Sequence, residues 1–405
     1  MEKQFYSKLC IAESIKFVTD EANRNGTGQQ MIERFSCNLA TILARDKEVV
    51  AVMLTTSINS CTVYISKRDW FKKDDEYIRK IERHLRSISK DAPITLVNAL
   101  KRDDVRALFK DVMAYCSVKF ESRFEKLKKD ITRNQDEPYI KSFRSFMGDA
   151  SIDVDNIKDV ERHVISRVCC KYYKKVKTSP AISERFLRHL KKVGSYIGSL
   201  INITRCVCNE FHRDQISNLE LRKLHPDTTF QTISSWNSII QKYFDNPKEF
   251  KDFRNACLND TDTKKKLIEI YGEPLATQLD SEIRLGVCLH AEMNILADII
   301  NRKDKRRAFI ATSKNCCYLC ELYIKFARDR RYNIVVSGSH KKIYHAWKLP
   351  DIKDYNFWKD SLSYLLSNLN QIIGNEVKKR NILLSDDSFD LGDQEIKEGI
   401  DAIFV

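Results

Sequence analysis

The feature that most restricts what this chain can fold into is a pair of short motifs, His290-Ala291-Glu292 and Cys317-Tyr318-Leu319-Cys320, set in a run whose hydrophobic period changes from element to element. After His290, the residues Met293, Ile295, Leu296, Ala297, Ile299 and Ile300 cover nearly the whole circumference of a helix, as expected for one packed between a sheet and other elements. Residues 307–312 read as a short buried strand and 313–315 as a polar turn. Cys317 then opens a second helix with Leu319, Leu322, Tyr323, Phe326 and Ala327 on its apolar face, and 333–337 read as another strand closed by Gly338. Helix, strand, helix, strand is the material of a parallel crossover unit, so the fold class is α/β.

The side chains at these two places carry chemistry. Zinc favours nitrogen and thiolate ligands in a tetrahedron, and a catalytic site keeps one corner for water. His290, Cys317 and Cys320 are the candidate metal ligands, with Zn2+ as the expected cofactor. Glu292 is not needed as a ligand, which leaves it free to move the proton of a metal-bound water. Both cysteines fall in the first turn of a helix, where backbone N–H groups favour thiolate over thiol. A CxxC alone also fits buried thiols or a redox pair, but the redox alternative leaves His290 and Glu292 idle.

H-x-E followed by C-x-x-C is the signature of zinc deaminases. The run 290–350, with Ser313-Lys314 before the cysteines and Gly338-Ser339-His340-Lys341-Lys342-Ile343-Tyr344 and Trp347-Lys348-Leu349-Pro350 after the last strand, resembles a mainly fungal branch of the cytidine-deaminase-like superfamily, related to bacterial toxin-type nucleic-acid deaminases. The resemblance implies a zinc-dependent nucleobase deaminase with His290, Cys317 and Cys320 as ligands and Glu292 as proton shuttle. Cys316 stands where such proteins often carry proline, which loosens the cap geometry but removes no catalytic group. Cys316 is also one helical turn from Cys320; the three-residue step from Cys317 fits the signature, so Cys316 reads as a packed neighbour.

Deaminases of this superfamily place a helix and a two-stranded hairpin ahead of the H-x-E helix. Here 31–45 read as a helix, and 48–55 and 61–66 as β-branched strands around the turn Ser57-Ile58-Asn59-Ser60. The expected architecture is a deaminase-like mixed sheet flanked by helices and split by a large all-α insertion. Its parts are an N-terminal helix and hairpin over 1–70, the insertion over 71–280, the catalytic segment over 281–375 and an acidic tail over 376–405. A separate N-terminal α/β domain is the alternative; the split is preferred because the segment after His290 has too few strands for a stable sheet of its own. Within the insertion, 104–129, 157–177 and 180–211 repeat apolar residues at helical steps, Ser179-Pro180 offers a start signal, and 236–244 is a shorter helix.

Thirteen cysteines without a signal peptide or long apolar span point to a reduced, intracellular protein of cytoplasm or nucleus, with no membrane partner. Hydrophobic content of 42% suffices for a real core. Cys169-Cys170, and Cys206 and Cys208 near His212, read as core thiols in helical contexts.

Charge bears on substrate. The chain carries 70 Lys and Arg against 56 Asp and Glu, a net +14, and the stretch 302–348 is strongly basic. Many of those cations follow helix C-termini, where the dipole explains them. Lys314, Lys341, Lys342 and Lys348 instead follow strand ends on the zinc side, where open α/β sheets bind ligands. Ala291, Ser313, Lys314, His340, Lys341 and Lys342 are therefore the candidate substrate-binding residues, with Tyr344, His345 and Trp347 available for stacking or hydrogen bonding. The expected reaction is attack of zinc-activated water on C4 of cytosine or C6 of adenine in single-stranded RNA or DNA. Deamination of free nucleosides or nucleotides, and a non-catalytic zinc scaffold or nucleic-acid binder, are the alternatives. The acidic residues over 386–401 read as a solvated end.

Overall fold

The computed structural model of the chain describes residues 1–19, 30–150 and 161–401, with side chains as far as Ile382. Seven strands lie among these residues: β1 (Val50–Thr56), β2 (Cys61–Lys67), β3 (Leu219–Leu224), β4 (Thr228–Ile233), β5 (Ile283–Cys288), β6 (Ala308–Thr312) and β7 (Ile334–Val336). Five form one mixed sheet in the order β3-β2-β1-β6-β7, and β4 and β5 form a separate antiparallel pair.

The hairpin β1-β2 runs from Val50↔Lys67 to Thr56↔Cys61. On its other side β1 pairs antiparallel with β6, opposing Val52 to Ala311 and Met53 to Ile310. Residues separated by more than 250 positions thus share one sheet. The sheet face follows from the two-residue period of a strand. Ala51, Met53 and Ile310 point into one hydrophobic cluster, with Met293, Leu296 and Ile299 of the helix Ala291–Asn301. Val50, Val52, Phe309 and Ala311 point into a second, with Phe35 and Leu39 of the helix Met31–Ile42 and the helical block beyond. Helices therefore cover both faces, and the mixed α/β architecture expected from the sequence is the one observed. Parallel pairing of β6 with β7, across the helix Tyr318–Asp329, completes the crossover unit.

The helix Met31–Ile42 begins at a reciprocal cap, in which the Gln30 backbone N–H donates to Glu33 Oε2 at 3.2 Å. The N-terminal helix Glu2–Ile15 is buried on nearly every side after Gln4. It packs Phe5, Leu9 and Ile11 into the same cluster as the H-x-E helix.

Several expectations need correcting. The stretch 71–280 is not all helical, because it contributes β3, parallel to β2 at the sheet edge, and β4, paired with β5. Leu219-Glu220-Leu221 alternates buried and exposed, the strand period, but too briefly to stand out beside long helices. The helix expected over 104–129 is two, Asp103–Tyr115 and Ser117–Arg133, with Cys116 between them. Pro180 does not open a helix; the long helix Glu184–Val207 starts after Ser183. Of 157–177, the helix Arg162–Val176 is observed and 157–160 lie outside the described residues. The stretch read as a tail from 376 begins inside the helix Tyr355–Asp401, where Val377 is buried and Arg380 donates to the Ile15 carbonyl at 2.9 Å. Side chains over 386–401 lie outside the described residues. Among the described residues no helix is long and apolar enough to cross a membrane.

Candidate metal centre

Three chain segments converge at the motif residues. β5 ends at Cys288, whose N–H donates to the Ala346 carbonyl at 2.8 Å while the Lys348 N–H donates to the Cys288 carbonyl at 3.1 Å. This two-bond clamp fixes Leu289 and His290 at the start of the helix Ala291–Asn301, with His290 as its extended N-cap. β6 delivers the second segment: the Ser313 N–H donates to the Val50 carbonyl at 2.8 Å, and the Val50 N–H to Ser313 Oγ at 3.0 Å. The loop after β7 supplies the third. Cys316 N–H donates to Gly338, His340 N–H to Cys316, and Tyr318 N–H to Lys342, all at 2.9–3.0 Å. Gly338 adopts φ +140°, a conformation that side chains resist.

Cys317 is the N-cap of the helix Tyr318–Asp329, and its Sγ accepts from the Cys320 N–H at 3.5 Å. Cys317 Sγ lies 3.3 Å from Cys320 Sγ; His290 Nδ1 lies 3.5 Å from the first sulfur and 3.3 Å from the second. Around a tetrahedral zinc these edges are about 3.8 Å for sulfur to sulfur and about 3.6 Å for sulfur to nitrogen. The donor set and its spacing therefore fit a metal ion of this type, and these residues could hold one. Cys316 is not part of the group: its thiol is fully buried and pushed well up, by burial first.

Electrostatics at the cluster are those of a thiolate site. Burial opposes ionisation of Cys317, yet hydrogen bonds from Cys320 and the neighbouring His290 hold its thiol well below the ordinary value. Burial also opposes protonation of His290, but Cys317 beside it carries the imidazole up to about 9. Cys320 is raised, first by burial and then by Cys317. Trp347 is wholly buried and donates its indole N–H to Cys320 Sγ at 3.2 Å. Its ring meets Phe5 and Tyr323 at tilted or edge geometries of 5.9 and 6.2 Å. Glu292 is buried in the first turn of the H-x-E helix, close to the thiols of Cys316 and Cys320, and its Oε2 has no hydrogen-bond partner among the described residues. Burial raises its pKa, against the pull of His290.

The remaining candidates are placed unevenly. Ala291 is buried in the core beside Glu292. Ser313 is engaged with β1, and Lys314 donates to the Lys47 carbonyl at 2.5 Å. His340 and His290 both meet the Tyr344 ring edge-on, at 5.8 and 6.1 Å. Lys341 pairs with Glu321 at 2.9 Å, while Lys342 is exposed beside the Phe17 ring. Lys348 is buried against Asp227 and Asp351, at 2.5 and 2.6 Å, and so is not an open phosphate contact. His345 Nδ1 is 2.7 Å from Glu13 of the N-terminal helix. The sequence reading left out the sulfur contact of Trp347 and the support from Glu2–Ile15; only the proximity of Trp347 to the basic loop hinted at the first. A cavity of about 1090 Å³ lies elsewhere, among Val105, Phe109, Arg167 and Ile197, and contains none of the metal-site residues.

Residues 289–351 match the model of the OTT_1508-like deaminase family. No curated protein and no solved structure matches the chain. The matched stretch takes in His290, Glu292, Cys317, Cys320 and Trp347, and it is a deaminase-like segment carrying a possible metal site.

Proposed function

We propose that this chain is a zinc-dependent hydrolytic deaminase acting on cytosine or adenine bases, with single-stranded RNA or DNA as the substrate. The observation that carries the reading is Glu292: a buried carboxylate with a partnerless oxygen beside three soft and imidazole donors. A purely structural metal site gives no reason to bury such a group, since an unpaired carboxylate costs several kcal/mol, on the order of the larger desolvation penalties.

Zinc, when bound, supplies a water acidic enough to lose a proton near neutral pH. His290, Cys317 and Cys320 would hold it and leave one corner open. Glu292 takes up the water's proton and returns protons to the ring nitrogen and the departing amine, so that water and amino base become carbonyl base and ammonia. Its raised pKa suits a group that must be both acceptor and donor. Tyr344, edge-on to both His290 and His340, offers an aromatic wall for a flat base. A base held in duplex would have to be flipped out, which favours single strands.

The test is incubation of zinc-loaded protein and Glu292→Ala with pooled single-stranded RNA and DNA, followed by sequencing for C-to-U and A-to-I changes. Conversion by the wild type alone is expected. Equal conversion by both proteins would overturn the role of Glu292; conversion of free nucleosides only would move the assignment to small substrates.

A further inference from the structure

We infer that the helical insertion provides an anion-binding surface, formed by Lys119, Arg123, Lys126, Arg188 and Lys192 together with Lys314, which takes the phosphodiester backbone of the strand whose base enters the metal site. The inference rests on the deaminase reading for its choice of ligand.

These cations come from three separate parts of the chain. Lys119, Arg123 and Lys126 lie on the helix Ser117–Arg133, Arg188 and Lys192 on the helix Glu184–Val207, and Lys314 in the loop between β6 and Cys317. Arg123 ties the two helices together, donating to the Lys192 carbonyl and to Ser195 Oγ, each at 3.2 Å, with its guanidinium over the Tyr196 ring. Lys314 and Arg123 are close enough to act on each other, and both act on Lys119 and Lys192. Lys314 is only three residues from a metal ligand, so this loop lies within about 11 Å of Cys317 along the chain.

A solvated basic face keeps like charges apart and in water. Here Lys119 is more than nine-tenths buried. Burial and its cationic neighbours lower it to about 8. The carboxylates nearby do not neutralise the group. Glu48 acts on Lys119 but is shared with Lys67 and accepts from the Arg45 N–H, and Asp46 acts on Lys314 alone among these cations. Six cations drawn together around a buried lysine, with Glu48 and Asp46 as the carboxylates acting on Lys119 and Lys314, are what a polyanion would satisfy. The paired Lys341 and Lys348 near the metal leave this role to the insertion.

The experiment measures binding of a single-stranded oligonucleotide across a salt series, using zinc-loaded Glu292→Ala so that no turnover occurs. It is compared with the same protein also carrying Lys126→Gln, Arg188→Gln and Lys192→Gln, three exposed side chains. Loss of three phosphate contacts should weaken binding at least tenfold and lower the slope of log K against log salt by about 2. An unchanged affinity and slope, with both proteins folded by circular dichroism, would overturn the inference. Oligonucleotide binding that follows this pattern in a protein that converts no base would sink the deaminase reading while leaving the anion surface standing.

Discussion

Replacing Trp347 by Phe isolates the hydrogen bond that its indole directs at Cys320, a candidate metal ligand. The substitution keeps an aromatic ring between Phe5 and Tyr323 but removes the N–H that reaches Cys320 Sγ at 3.2 Å. A hydrogen bond to a charged group is worth about 1.5–3 kcal/mol. Sulfur is a weak acceptor, so the lower end applies, and 1.4 kcal/mol corresponds to about tenfold in affinity. Loss of an outer-shell partner has the same size, about 10- to 100-fold in metal affinity. Trimming the buried ring also costs stability, on the order of 1–2 kcal/mol. Trp236→Phe controls for that cost, because Trp236 is equally buried in the same cluster and donates to Ser14 Oγ, away from the metal-site side chains. Zinc affinity measured by competition with a chromogenic chelator should fall about tenfold in Trp347→Phe and stay within about twofold of wild type in Trp236→Phe. Equal zinc affinities in the two variants would refute the account of Trp347 as a support for the Cys320 thiolate.

Cys317→Ala should abolish stoichiometric zinc binding, whereas Cys316→Ala should leave it within a few-fold of wild type; elemental analysis after dialysis separates them, and the reverse order would reassign the ligand. Lys119→Met should stabilise the protein at neutral pH, on the order of 2 kcal/mol, because it removes a charge whose pKa falls from 10.5 to about 8 on folding. Below pH 8 the ammonium is charged in both states and its burial cost is carried in full. Between pH 8 and 10.5 the folded chain sheds the proton that the unfolded chain keeps, so wild-type stability climbs with pH and the advantage of the variant shrinks. Urea denaturation at pH 7 and pH 10.5 checks this, and an advantage that does not shrink would show that the ammonium is not the source.

Elements whose signals are local were legible in advance. The H-x-E helix, β6, the CxxC helix and β7 each declare themselves within a dozen residues, through a 3.6- or 2-residue period and a turn, and the hairpin β1-β2 does so through β-branched runs around Asn59. β3 and β5 were not legible, because each is defined by a distant partner: Leu219 opposite Cys61, and Cys288 opposite Thr228. The basic loop was half legible. Its lysines can be counted from the sequence, but whether each is free depends on Glu321, Asp227 and Asp351 arriving from elsewhere.

Residue order alone thus determined which atoms could bind a metal and which carboxylate stood beside them, since side-chain chemistry and helix periodicity are properties of short stretches. Tertiary structure decided what surrounds those atoms. Only folding brings Glu13 to His345, the indole of Trp347 to Cys320, and the cations of two insertion helices to Lys314. Burial, pairing and field at a site are sums over neighbours that the chain meets only after it has closed on itself.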